Sequence, residues 1–236
     1  MKEVKGIIDH RILLNYRIDS KIMKQNLPRE FKPKIINGYA IGGICQVSLS
    51  EMRPKKLPSI LGTRSHNAAH RIAVITSKGE GVFVTRRDTN SIVNTISSGR
   101  LFPDIYKKAE FQVDSTDRSY SVRIEHAGNC LMNIEAEVTN DIEVTSIFNS
   151  VNEISDFFLG GNIGWSKKEN NKGFDAIELR TVQWSMKPLQ VTNEFSAYFM
   201  DESIFPKGSV EFDSAMVMQG LEHSWISREK LCQICT

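Results

Sequence analysis

The sequence predicts an α+β fold in which one large antiparallel sheet, curved or closed like a barrel, carries a few helices. Two observations lead there. Strand-like runs follow one another at short intervals along most of the chain, with few helical stretches between them. One β-rich run, "KIINGYAIGGICQVSL", is long enough for a hairpin or for a strand bent at Gly42-Gly43. One domain over residues 1–236 is the expectation. A closed sheet of this kind can enclose a ligand cavity.

The elements follow in order. "RILLNYRI" reads as a strand. "DSKIMKQNLP" reads as a short helix, with Asp19 or Ser20 as N-cap and Pro28 beyond its end. After the glycine-bearing run, "RPKKLPSILGTRSHN" reads as a loop from its prolines and glycine. "AAHRIAVIT" and "GVFVTR" form a strand pair joined by "SKGE". "DTNSIVNTISSG" reads as a helix capped by Asp88 and closed by Gly99. Strands resume at "KKAEFQV", "SYSVRIEH" and "CLMNIEAEV". The longest helix is expected near residues 145–158, where Ile147, Val151, Ile154, Phe157 and Phe158 recur at helical spacing. "NIGWSKKENNKGFDA" reads as a loop. "IELRTVQWSMKPLQV" and "EFSAYFM" are strand-like, and "SVEFDSAMVMQGL" fits either state.

Composition bounds the function. Hydrophobic residues are 40% and charged residues 25%, the balance of an ordinary globular protein. No run is apolar and long enough to span a bilayer, so no membrane partner is expected. Asp9, His10 and Arg11 interrupt the apolar start, which argues against a secretory leader and makes a cytoplasmic location the default. Residues 1–108 hold 20 Lys/Arg against 8 Asp/Glu, whereas residues 109–166 hold 2 against 10. A basic first half can attract an anion, or can simply neutralise the acidic segment on folding. No nucleic-acid motif is present, so nucleic acid is not an expected partner. Of Cys45, Cys130, Cys232 and Cys235, only the last two are closely spaced. All four read as free thiols, and neither a metal nor a cofactor is expected.

Two adjacent lysines, Lys107 and Lys108, stand where a turn becomes a strand. If Tyr106–Val113 is extended, Lys107 shares a face with Ala109, Phe111 and Val113, and Lys108 shares one with Glu110 and Gln112. An ammonium on an apolar face is costly unless paired or neutralised, and such a setting can produce a nucleophilic amine. The alternative is a strand-end lysine whose stem reaches water. His70 alternates with Ala68, Ile72 and Val74 and so faces inward, as a hydrogen-bonded core histidine or as a substrate-side group. Arg86 and Arg87 close a strand beside Asp88, and either could grip a carboxylate bidentately or pair with the aspartate. "FLGGNIGW" reads as a helix stop and a loop that could cover a cavity.

"LLNYRIDSKIMKQNLPREFKP", followed by the "GYAIGGICQVSL" strand, resembles the N-terminal region of acetoacetate decarboxylase. There too a tyrosine-arginine pair leads a short helix that ends in proline. "GRLFPDIYKK" is similar to that family's glycine-arginine to lysine-lysine segment. The resemblance implies that Lys107 is a Schiff-base lysine and Lys108 the neighbouring cation that activates it. In a second register, "EGVFVTRRD" matches the strand before the family's glycine-arginine-glutamate, and the two lysines then follow an inserted helix. With "SHNAAHRIAV", "VFVTRRDTNS", "GRLFP" and "FPKGSVEFDSAMVM", the whole chain looks closer to an uncharacterised branch of the same superfamily. It departs from the enzyme where a strand glutamate would fall at Gly42 or Gly43, and where the upstream arginine, Arg11, is about two residues out of register.

The leading expectation is a lyase that acts on a small keto acid or other carbonyl compound through Lys107. Arg11, Arg17, Arg87 and Arg100, with His70, would receive the anionic substrate. The alternative is a non-catalytic binding protein for a small carboxylate on the same fold. A protein–protein interaction module using the charge asymmetry is the distant third, and a homo-oligomer is compatible with each.

Overall fold

The computed structural model describes residues 3–97, 106–168 and 173–231. β1 (Glu3–Asp19) leads directly into α1 (Ser20–Asn26), whose N-cap is Asp19. The Asp19 carboxylate accepts from the backbone N–H groups of Lys21 and Ile22 at 2.8 and 3.0 Å. β2 (Lys32–Pro33) and β3 (Ile35–Ile36) are short, and β4 (Tyr39–Pro54) is long. The hairpin predicted in this region turns at Asn37-Gly38, not at Gly42-Gly43. Both turn residues have positive φ, 48° and 87°, as a two-residue hairpin turn requires. Gly42 and Gly43 instead lie within β4, where a Cβ on Gly43 would stand 2.1 Å from the Leu14 carbonyl oxygen. Glycine therefore permits close approach of β1 there.

β5 (Thr63–Thr76) and β6 (Gly79–Thr89) form the expected pair. Asp88 lies inside β6 and does not cap α2 (Ile92–Ser97); the Ser91 hydroxyl accepts from the Asn94 N–H at 3.2 Å. Gly99, the expected stop of that helix, falls outside the described residues. β7 (Lys107–Lys108), β8 (Glu110–Ser115), β9 (Ser119–His126) and β10 (Asn129–Val138) follow. α3 (Val151–Leu159) is shorter than the helix predicted over 145–158, because the Ser150 hydroxyl caps it by accepting from the Glu153 N–H at 3.1 Å. The loop expected over 162–176 contains β11 (Ile163–Lys167) and the start of β12 (Phe174–Thr181). β13 (Lys187–Ser196) and β14 (Val210–Leu231) complete the chain.

These strands form one 14-stranded sheet, in the path β1-β4-β5-β6-β11-β12-β14-β13-β10-β9-β8, and β1 also pairs with β14. That extra pairing closes β1, β4, β5, β6, β11, β12 and β14 into a ring. The sheet is mixed: β11 and β7 run parallel to β6, while the other pairings are antiparallel. Helices are few, as expected for this α+β architecture.

Alternation along the strands creates two apolar faces. One face gathers Ile12, Leu14, Tyr16 and Ile18 of β1 with Val122, Ile124 and Ile134 of the β8–β10 arm. The other gathers Leu13, Ile41, Val47, Met216 and Met218 with Ile154, Phe157 and Phe158 of α3. No helix among the described residues is long and apolar enough to cross a membrane.

Candidate anion-binding cavity

Register places the site residues. Arg11 lies opposite Val47, Leu13 opposite Cys45, and Asn15 opposite Gly43. On the far side of β4, Val47 faces Asn67, Cys45 faces Ala69, and Gly43 faces Arg71. One strand further, Ala69 faces Arg87 and Arg71 faces Val84. Residues directly opposite share a face of the sheet. Arg11, Cys45, Arg71 and Arg87 therefore lie on one surface.

That surface lines a cavity of about 100 Å³. Every strand of the ring contributes to its wall, from Arg11 of β1 and Cys45 of β4 to Leu179 of β12 and Trp225 of β14, so it lies within the ring. Gly161 and Gly164 line it as well; of the segment read as a covering loop, Ile163, Gly164 and Trp165 belong to β11. Gly164 leaves room for Arg87: a Cβ there would stand 3.4 Å from Arg87 Nη2. No aspartate or glutamate lines the cavity among the described residues.

Arg71 is 3% exposed. Its Nη2 donates to Asn15 Oδ1 at 2.6 Å, and its guanidinium lies 4.5 Å from the centre of the Phe158 ring. Its Nε and Nη1 have no hydrogen-bond partner among the described residues. Burial pulls its pKa down to about 10; Cys45 opposes that shift and Arg11 adds to it. The group thus stays cationic at neutral pH. Arg11 is bonded to sulfur: Nε donates to Cys45 Sγ at 3.1 Å and Nη1 to Met218 Sδ at 3.8 Å. Its guanidinium also lies 5.8 Å from the Trp184 ring centre. Arg87 Nη2 donates to Ser166 Oγ at 3.4 Å, and the Tyr106 ring lies 6.0 Å away. Three guanidinium groups, with no lining carboxylate among the described residues, make the cavity electropositive and a candidate site for an anion.

Two of the arginines expected at a site, Arg11 and Arg87, come together here. Arg17 does not. Its Nε donates to Glu211 Oε2 at 3.0 Å, and its Nη1 donates to the Thr145 carbonyl, so its guanidinium serves a structural pair. Arg100 lies outside the described residues, as do Cys232 and Cys235. Cys45 and Cys130 are free thiols. His70 is buried but points away from the cavity, with Nδ1 4.0 Å from Asp88 Oδ2 and its ring 5.6 Å from Tyr198. Burial pulls its pKa down to about 4, against the pull of Asp88.

Lys107 and Lys108 are both exposed, so of the two readings of Lys107 the strand-end lysine that reaches water holds and the apolar-face setting does not. The chain leaves β6 at Ala109 and then pairs with β9, so the alternation that buries Ala109 and half-buries Phe111 and Val113 does not extend back to Lys107. Lys107 lines a separate cleft with Arg86, Ser166 and Lys167, and this cleft shares Val84 and Arg87 with the cavity.

Arg71 and Cys45 were not legible as site residues. A signal for Arg71 existed: in "NAAHRIAVIT" it alternates with Ala69 and Ala73, the parity argument applied to its neighbour His70.

A closed β-ring of this topology is the acetoacetate decarboxylase-like fold. The chain belongs to the DUF2071 family of uncharacterized conserved proteins, whose model matches residues 8–207. No curated protein matches the sequence. The acetoacetate decarboxylase of Legionella pneumophila superposes with a TM-score of 0.62 at 8% identity, over 96% of this chain and 87% of that one. An acetoacetate decarboxylase-like enzyme from Sphingomonas wittichii gives 0.62 at 11%, over 98% and 94%. MppR, an enduracididine biosynthesis enzyme solved with pyruvate, gives 0.63 at 10%, over 98% and 89%. The superpositions establish a shared fold, and at identities this low they establish the fold alone.

Proposed function

We propose that this chain binds a small organic carboxylate of the 2-oxo acid class inside the ring, gripped by Arg71 with Arg11 and Arg87. Arg71 carries the reading: it is a fully buried cation with two N–H-bearing nitrogens, Nε and Nη1, lacking acceptors. Leaving such groups unmatched costs on the order of several kcal/mol, and a carboxylate supplies both the compensating charge and acceptor oxygens. A cavity of about 100 Å³ is smaller than the ~150 Å³ that accepts benzene, which limits the ligand to a handful of heavy atoms. Val47, Val84 and Leu179 suit a methyl or methylene end. The pyruvate complex of MppR shows a ligand of this class on this fold.

Thermal denaturation with pyruvate, acetoacetate and acetate tests the proposal. At about 100 times its dissociation constant, a ligand adds roughly 2.7 kcal/mol, or about 5–10 °C for a chain of this size. The shift is expected in the wild type and absent in Arg71→Met. A protein unmoved by every carboxylate up to tens of millimolar refutes the reading.

A second reading makes the chain a lyase that forms a Schiff base at Lys107, with Lys108 beside it. The wall shared between the Lys107 cleft and the cavity favours it, because a ligand carbonyl near Arg87 would face both. Borohydride reduction with acetoacetate or pyruvate, followed by peptide mass spectrometry, should then label Lys107 and leave Lys107→Arg unlabelled. Absence of label on Lys107 across pH 5–9 removes this reading and leaves the binding function intact.

A further inference from the structure

The cavity contains one soft nucleophile among its cations. Cys45 Sγ lines it, half-buried, and accepts a hydrogen bond from Arg11 Nε at 3.1 Å. Arg71 of β5 stands diagonally from Cys45 of β4, on the same face. A partly exposed thiol held against cations is the environment of a reactive cysteine. The unpartnered Nε and Nη1 of buried Arg71 supply, beside it, the binding point for a ligand carboxylate.

We propose that Cys45 is an anion-directed nucleophile that adds covalently to small α,β-unsaturated carboxylates held in the ring by Arg71 and Arg11. This rests on the carboxylate reading of the cavity. A bond forms between Sγ and the β-carbon of the ligand. The π pair of the C=C bond moves to the α-carbon, which takes the proton given up by the thiol. The net change is addition of S–H across the double bond, with no leaving group and no external oxidant or reductant. Pairing of the carboxylate with guanidinium groups draws electron density from the alkene and stabilises the charge that builds up toward the carboxylate in the transition state.

Acrylate and acrylamide differ in charge but hardly in shape, so they separate anion direction from plain accessibility. Cys130, also a free thiol, is the internal reference. The full-length protein is incubated with each reagent and modification is followed at every cysteine by peptide mass spectrometry. Simple thiols react faster with acrylamide, because the anionic carboxylate deactivates the alkene. At Cys45 the preference should shift toward acrylate by at least about tenfold relative to Cys130, the worth of one charge-assisted contact. Pyruvate should slow the acrylate reaction at Cys45 alone, and Arg71→Met should return its ratio to that of Cys130. Equal acrylate-to-acrylamide ratios at the two cysteines in the wild type overturn the proposal, with no variant needed. If carboxylates raise the melting temperature while those ratios stay equal, the covalent inference fails and the binding function stands. If neither occurs, both fail.

Discussion

Arg71 and Asn15 meet across Gly43. Both are cross-strand partners of this glycine, one from β5 and one from β1, and Arg71 Nη2 donates to Asn15 Oδ1 at 2.6 Å over it. The strand glutamate of the acetoacetate decarboxylases was expected to fall at Gly42 or Gly43. Here a glycine clears the space and a neutral amide receives the guanidinium. The amide accepts one N–H and leaves the charge without an anionic partner among the described residues, and the proposed carboxylate site rests on this.

Replacing Arg71 with methionine removes a buried charge and keeps most of the volume. Such replacements are often neutral or stabilising by about 1–4 kcal/mol, here reduced by the Asn15 Oδ1 left without its donor. Without ligand, Arg71→Met is expected to melt at or slightly above the wild-type temperature. A loss of more than about 10 °C would show that Arg71 is a structural cation and not a binding group.

Gly43→Ala should be destabilising, because the added Cβ would stand 2.1 Å from the Leu14 carbonyl oxygen and backbone cannot swing aside as a side chain can. The expected cost is about 1–3 kcal/mol, read as a lower urea midpoint at unchanged slope. A midpoint equal to that of wild type would mean that β1 and β4 separate easily there.

Asp88 is fully buried and receives Arg86 through Nε at 2.9 Å and Nη2 at 2.8 Å. Removing its carboxylate strands Arg86, although about a quarter of that side chain reaches solvent and softens the loss. Asp88→Ala is expected to cost roughly 2–4 kcal/mol in urea denaturation, and Asp88→Asn less. A cost under about 0.5 kcal/mol would class the pair with ordinary surface bridges.

Burial pulls His10, His70 and His223 from an ordinary value of 6.5 down to about 4. Between these limits the unfolded chain binds protons that the native chain refuses. Stability is therefore complete above pH 6.5 and falls as pH drops toward 4, by an amount on the order of several kcal/mol in total. Urea midpoints at pH 7, 6, 5 and 4.5 should decline steadily, and His70→Gln should flatten the slope. A midpoint constant from pH 7 to 5 contradicts the burial of these rings.

Much of the local structure was legible because it is decided by neighbours in sequence. Asp19 at the start of α1 is a capping side chain two and three residues from the N–H groups it accepts. The β5–β6 pair is a period-two pattern around a short turn. β11 was not legible: three of its five residues, Gly164, Trp165 and Ser166, pair with β6 some eighty positions earlier in the chain, and no local pattern encodes a partner that distant. Asp88 illustrates the same limit. Its type fits a helix cap, but β6 continues through it and the carboxylate turns to Arg86.

Arg11 and Arg87 could be named from sequence because arginine is the natural grip for a carboxylate. Arg17, the same residue type in the same half of the chain, could not be told from them until Glu211 was seen to occupy it. For Lys107, parity along one strand pointed to an apolar face, and the change of pairing partner at Ala109 put the amine in solvent. The sequence by itself determined the strand-rich class, the α1 cap, the β5–β6 pair and the supply of cations. Only the tertiary structure decided which cations share a cavity, through ring closure by β1 and β14 and a register that aligns Arg11, Cys45, Arg71 and Arg87 on one face. The physical reason is that propensity and capping act within a few residues, whereas burial of charge and register are set by contacts between strands far apart in the chain.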